Sequence, residues 1–95
     1  MDSRDILFSF FRASMNDSRL TKAHVAVFTA LLYVSFENGN ANPVKVYSRD
    51  VMPFARISSS ATYHRALLEL AEYGYLGYEA SYYQGCPSKV WWRVG

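Results

Sequence analysis

The sequence predicts an α+β fold, in which helices and a small antiparallel sheet share one hydrophobic core. Apolar residues recur at helical spacing over residues 5–15 and 22–37, and again after a run of serines at residues 58–60. Two runs rich in β-branched and aromatic residues follow near the C-terminus, separated by glycine and proline. Helices that precede a terminal hairpin indicate one domain over residues 1–95.

The composition is that of a folded protein. Of the 95 residues, 51% are apolar and 17% are aromatic, which excludes a disordered chain. No apolar run approaches the roughly 20 residues of a membrane helix, and the start lacks a signal-peptide pattern, so we expect a cytoplasmic protein without a membrane partner. Cys86 is the only cysteine and has no zinc-finger partners, so we expect no internal disulfide and no metal.

The first fifteen residues predict a short helical extension. Ile6, Leu7, Phe10 and Phe11 recur at helical spacing. This apolar face either covers the core of its own chain or forms a homodimer contact through Phe10 or Phe11.

A second helix is predicted from Lys22 to about Glu37, with Thr21 as its N-cap. Its apolar stripe is widened by flanking residues that include Val34 and Phe36, and so wide an apolar arc indicates the most buried helix of the domain. His24 lies at the third helical position, where we expect an exposed side chain without a structural role in preference to a capping or phosphate contact.

Residues 38–43 are a loop by composition, and residues 44–47 predict a short strand. Ser48 then suits the N-cap of a short helix, but Pro53 requires that this helix begins late, near Met52, or is kinked. We expect Met52, Phe54 and Ile57 to supply the core contacts of this segment.

The central helix of the fold is predicted after Ser58 or Ser59, either of which suits its N-cap. Its core face consists of residues at spacings of three and four, namely Tyr63, Ala66, Leu67 and Leu70. Gly74 then ends the helix. The opposite face carries Ala61, Thr62 and Arg65, and a capped helix with small and basic residues at its start suits a DNA major groove.

Two strands close the chain, at residues 75–82 and 89–94, with a turn at residues 83–88. From the second helix onward, the order is helix, strand, helix, helix, strand, strand. This is the order of a winged helix-turn-helix, a three-helix core over residues 20–94 with a C-terminal hairpin wing, here preceded by an extra N-terminal helix.

Charge is distributed unevenly along the chain, although its net value is only +2. Residues 44–65 hold four basic side chains and one acidic one, whereas residues 66–82 hold three acidic and no basic side chains. Positive charge at the start of the central helix would suit an approach to phosphates. Arg49 and Arg56 are candidates for phosphates that flank the groove.

The stretch S-S-A-T-Y-H-R-A-L-L-E-L-A-E-Y-G-Y-L at residues 59–76 resembles small bacterial winged-helix proteins, in particular short transcriptional regulators found on mobile elements. The resemblance implies double-stranded DNA as the partner. It implies contacts from the start of the recognition helix, at Ser59, Ser60, Thr62, His64 and Arg65, and from the wing, at Gln84 and Lys89. The wing tip has little positive charge, which departs from the basic wing of that family.

Other interpretations remain open at this level. Tyr82, Tyr83, Trp91 and Trp92 alternate with Lys89 and Arg93, which is typical of hairpin packing or of a stacking platform for unpaired bases. Leu68 points away from the predicted core and favours a homodimer or a protein partner. The sequence has no nucleophile, phosphate-loop or metal-ligand motif, so we expect neither an enzyme nor a cofactor.

Overall fold

Seven elements follow one another in a computed structural model, which describes residues 3–81 and 85–93. They are α1 (Ser3–Ser14), α2 (Lys22–Glu37), β1 (Val44–Val46), α3 (Ser48–Ala55), α4 (Ser60–Glu72), β2 (Leu76–Glu79) and β3 (Ser88–Trp92). The described residues thus form four helices and a three-stranded antiparallel sheet. The α+β class and the order of the elements are confirmed.

The sheet has the order β1-β3-β2, so that the last strand lies between the other two. Val44 of β1 and Tyr78 of β2 both lie opposite Val90 of β3. Val44 and Val90 are buried, whereas Lys45 and Lys89, which are next to them in sequence, are exposed. One face of the sheet therefore covers the core, and the other is open.

Phe10 of α1 joins the core of the domain. Its ring stacks on Phe28 of α2 with centroids 3.8 Å apart, and it meets the edge of Tyr75 at 5.4 Å. Since Phe10 is completely buried, the prediction that it could form a dimer contact is wrong. Phe11 remains 42% exposed, so that prediction stays open for it.

Three further side chains differ from the prediction in whether they are buried or exposed. His24 is buried rather than exposed, and it takes the capping role that was the alternative, because its imidazole bonds to the N-cap residue Thr21 and to Glu69 of α4. Phe36 and Phe54 are exposed rather than buried. The core fills with other residues of α2, and α3 meets it through Val51 and Ala55, so neither phenylalanine ring is needed there.

The helix α3 begins earlier than predicted. Its N-cap is Tyr47 and its first residue is Ser48, so neither a start near Met52 nor a Ser48 cap is correct. Pro53 lies in the last turn, where its missing N–H leaves only the Arg49 carbonyl without its usual helical donor. The helix ends two residues after Pro53.

The terminal hairpin has shorter strands and a longer connection than the sequence predicts. Residues 80–87 lie between β2 and β3, whereas a turn at residues 83–88 was expected. The predicted contact residue Gln84 lies outside the described residues, as do Tyr82 and Tyr83. Within the described ranges, no helix is long and apolar enough to cross a membrane.

Candidate nucleic-acid interface

The start of α4 is fixed by Ser59. Its hydroxyl oxygen accepts a hydrogen bond from the Thr62 backbone N–H at 3.2 Å, and its carbonyl accepts one from Tyr63 N–H at 3.0 Å. Of the two predicted N-caps, Ser59 is therefore the one used. Since its hydroxyl serves the helix, it is less available to a ligand than that of Ser60.

The core side of α4 determines which residues face outward. Tyr63, Ala66, Leu67 and Leu70 are buried against α2 and the sheet, as the periodicity predicts. The remaining side carries Ala61, Thr62, Arg65 and Leu68, which are all exposed. Arg65 forms neither a hydrogen bond nor an ion pair with any described residue. Its guanidinium can therefore donate all five N–H groups to a ligand.

His64 belongs to the side of α4 that faces the sheet. Its Nδ1 lies 2.8 Å from the Ser60 carbonyl, so Nδ1–H donates there and Nε2 is left as an acceptor. The ring lines a cavity of about 160 Å³ together with Tyr47 and Ser88. Since His64 is half-buried in this cavity, it is separated from the open arginine side of the helix.

Arg49, Arg56 and Ser60 line one groove between α3 and the start of α4, with a volume of about 590 Å³. Met52 and Ile57 form much of its floor. The Arg49 guanidinium lies 4.3 Å from the centroid of the Tyr47 ring, which holds it at the edge of the groove by a cation–π contact. Three of the predicted contact residues are thus brought together.

Thr62 and Arg65 line a second cleft, of about 310 Å³, between α4 and the start of α2. Arg19 lines the same cleft, although no motif in the sequence distinguishes it. Its side chain donates to Asp17 at 2.8 and 2.9 Å and lies 4.1 Å from the Tyr73 ring centroid. The only sequence signal was its place two residues after Asp17, which is too common a spacing to indicate a cleft.

The Asp17 carboxylate is the centre of that cluster. It accepts hydrogen bonds from Arg19 and from the Tyr75 hydroxyl, the latter at 2.7 Å. These bonds hold the pKa of Asp17 well below its usual range. Asp17 therefore stays charged and balances Arg19, whereas Arg65 forms no ion pair with a described residue.

His24 and Glu69 form the floor of the same cleft. The Thr21 backbone N–H donates to His24 Nδ1 at 2.8 Å, so Nδ1 must be the unprotonated acceptor. Nε2–H then donates to Glu69 at 3.0 Å. Glu69, expected on a solvated face, is therefore a structural partner that connects α4 to the cap of α2.

Lys89 lies apart from these clefts, on the open face of the sheet opposite Lys45. The residues predicted to form one interface therefore occupy four places, namely the outer side of α4, the α3–α4 groove, the cavity beside the sheet, and the sheet itself. No cluster of three or more metal-ligating side chains occurs within residues 3–81 and 85–93.

No protein-family model, curated protein or solved structure matches this chain. What the protein does is therefore inferred from its own geometry.

Proposed function

We propose that this protein is a winged-helix protein that binds double-stranded DNA sequence-specifically, with α4 in the major groove, and that it acts in transcription or mobile-element control. The observation that carries this proposal is the outer side of α4, where Arg65 and Thr62 are exposed and Arg65 has no partner among the described residues. An α-helix fits the major groove, and a free arginine fits a guanine edge.

The arrangement of the elements supports the same proposal. The order α2-β1-α3-α4-β2-β3 with the sheet order β1-β3-β2 is the topology expected of a winged helix. Residues 56–59 form a four-residue turn between α3 and α4, which is the length of a helix-turn-helix connection. Arg56 holds the left-handed position of this turn, with φ of 59°.

In this proposal, some residues contact bases, some contact phosphates, and some only support the helix. Arg65 donates to a guanine, and Thr62 contacts a base edge or a phosphate. Arg49 and Arg56 donate to the phosphates on one border of the groove, where they supply charge without sequence information. His64 and Ser59 support the start of α4 and have no direct contact.

The test begins with selection of bound sequences from a random duplex library, followed by titration of the selected duplex across a salt series. We expect affinity to fall steeply as salt rises, because phosphate contacts release counterions. Arg65→Ala should lose at least about 1 kcal/mol on the selected site and relax its sequence preference at one position.

Arg12→Ala is the matched control, because Arg12 is also an exposed helical arginine but lies on α1. It should leave duplex affinity almost unchanged. Equal losses from Arg12→Ala and Arg65→Ala, or no salt-dependent duplex binding at all, would contradict the proposal.

A second candidate function is protein interaction, and a separate surface favours it. Phe11 of α1, Tyr33 and Phe36 of α2, and Phe54 of α3 are 42–58% exposed. Tyr33 joins the two grooves of this surface, because it lines one beside Phe11 and Phe36 and the other beside Phe54. We call these four residues the aromatic surface.

A second copy of this chain is the partner that fits the aromatic surface. At about 200 Å² for each ring, half exposed, the four residues offer roughly 400 Å², about half of one side of a standard interface. Arg4 lines one groove, whereas Glu37, Asp50 and Lys45 line the other and leave it one net negative charge. A two-fold axis would bring the basic groove of one copy to the acidic groove of the other.

A further inference from the structure

The open face of the sheet carries an unusual set of side chains. Strand alternation brings Lys89, Trp91 and Arg93 to this face of β3, about 7 Å apart from one another in turn. Arg93 still follows the sheet, because its N–H donates to the Tyr75 carbonyl at 3.2 Å. Lys45 of β1 lies directly opposite Lys89.

Trp91 lies over β2 rather than standing away from the sheet. Its Cα partner across the strands is Gly77, and a Cβ atom at Gly77 would overlap the Cε2, Nε1 and Cζ2 atoms of the indole. The ring thus occupies the space that a side chain at position 77 would take. Because Trp91 is only half-buried, part of its surface is open to solvent.

The cations around this ring outnumber the carboxylate on the same face, although Lys45 also lines the groove that holds Glu37 and Asp50. Lys45, Lys89 and Arg93 are exposed, and none forms an ion pair with a described residue. Two lysines directly opposite each other on one face repel and cost stability. Glu79, opposite Lys89 on β2, is the acidic residue nearest to them in the register. An anion bound above the sheet would relieve the repulsion.

We propose that this face binds single-stranded nucleic acid. One unpaired base stacks on the Trp91 indole, and the phosphates on either side accept hydrogen bonds from Lys89 and Arg93, with Lys45 at the border. A duplex cannot use the ring in this way, because its bases are already stacked on one another. Stacking on an aromatic ring within a positively charged groove is how sequence-tolerant single-strand binders work.

This site goes beyond the proposed reading of duplex DNA by α4. It uses no residue of α4, and it would bind a strand that has been separated rather than one in a groove. The two activities can therefore fail independently of each other.

The test is titration of the protein with labelled oligothymidine and oligouridine of about 15 nucleotides. Binding is measured by the change in tryptophan fluorescence and by the anisotropy of the labelled strand. We expect binding that weakens with salt and quenching of Trp91. A Trp92→Phe background removes the other tryptophan, so that the quenching reports on Trp91 alone. The two oligomers distinguish a site for DNA, for RNA or for both.

Trp91→Ala should weaken binding of the oligomers by roughly fivefold or more, since stacking contributes about 1–3 kcal/mol for each base. A second variant avoids any change in packing, because Lys89→Gln removes charge from an exposed side chain. It should lower both the affinity and its salt dependence. Lys22→Gln, an exposed lysine of α2, is the matched control and should bind as the wild type does.

Arg65→Ala separates the two sites. It should keep its affinity for the oligomers while it loses affinity for the duplex. The inference is overturned if the wild type does not bind either oligomer at low salt, or if Lys89→Gln and Lys22→Gln bind alike. It is overturned as well if Arg65→Ala lowers single-strand affinity as much as Trp91→Ala does.

Discussion

The contact between Trp91 and Gly77 requires that residue 77 has a hydrogen atom in place of a side chain. A Cβ atom at position 77 would overlap the indole, so Gly77→Ala must displace the ring or the strand. We expect the variant to lose about 1–3 kcal/mol of unfolding free energy, the usual range for overpacking, measured by urea denaturation.

A double-mutant cycle identifies the cause of that loss. In a Trp91→Ala background the obstacle is absent, so Gly77→Ala should cost much less there than in the wild type. An equal cost in both backgrounds would mean that the backbone of β2, and not the indole, requires glycine.

The N-cap Ser59 contributes to the stability of the helix α4. Ser59→Ala removes the hydroxyl that accepts the Thr62 N–H, so we expect a loss of about 1 kcal/mol of unfolding free energy. Ser58→Ala is the matched control, since Ser58 is an adjacent exposed serine that does not cap the helix. The free energies of unfolding of the two variants, measured by thermal and urea denaturation, should differ by most of that loss of about 1 kcal/mol.

The connection between α1 and α2 is tied to the sheet by the Tyr75 hydroxyl, which donates to Asp17. Burial, followed by this hydrogen bond, raises the pKa of Tyr75 from 10.0 to about 12. Its contribution to stability is therefore complete below about pH 10 and is lost as the pH rises to about 12, because the unfolded chain releases the proton first. Burial raises the pKa of Tyr63 in the same direction.

We expect the free energy of unfolding to fall between about pH 8 and about pH 11 in the wild type. Tyr75→Phe should be less stable at the lower pH, because the bond to Asp17 is missing, and should show a smaller fall. Urea denaturation at the two pH values measures both effects. A fall as large as that of the wild type would exclude Tyr75 as a source of the pH dependence.

The sequence predicts those elements whose signals are local. The serines, the spacing of Tyr63, Leu67 and Leu70, and Gly74 were enough to define α4 and its open side. His24 was misjudged because its partner, Glu69, is 45 residues away and nothing local indicates the bond. Phe36 and Phe54 were misjudged because hydrophobicity alone does not tell which apolar residues a small core has room for.

The candidate site was predicted only in part, for the same reason. The open side of α4 follows from its own periodicity, so Thr62 and Arg65 could be named from the sequence. The cleft they share with Arg19 requires the α1–α2 connection to meet α4, and the separation of Lys89 from them requires the strand register. Neither can be read from spacing within one segment.

At the scale of the whole molecule, the aromatic surface predicts self-association. We expect the apparent mass, measured by light scattering, to rise with concentration towards that of a dimer. Phe36→Ser should keep the protein monomeric. Leu68→Ser is the matched control, because Leu68 is 55% exposed on α4, outside the aromatic surface, and its loss should not matter. An apparent mass that stays at the monomer value at all concentrations would contradict self-association through the aromatic surface.

The central position of β3 has a consequence for the order in which the protein is made. The strands β1 and β2 are synthesised before β3 but have no hydrogen-bonding partner in each other, because both pair with β3. The sheet therefore cannot close until β3, at Ser88–Trp92, has been synthesised and is free to pair. Until then, the nascent chain exposes two strand edges, so its folding must finish after the helices have been synthesised and not alongside them.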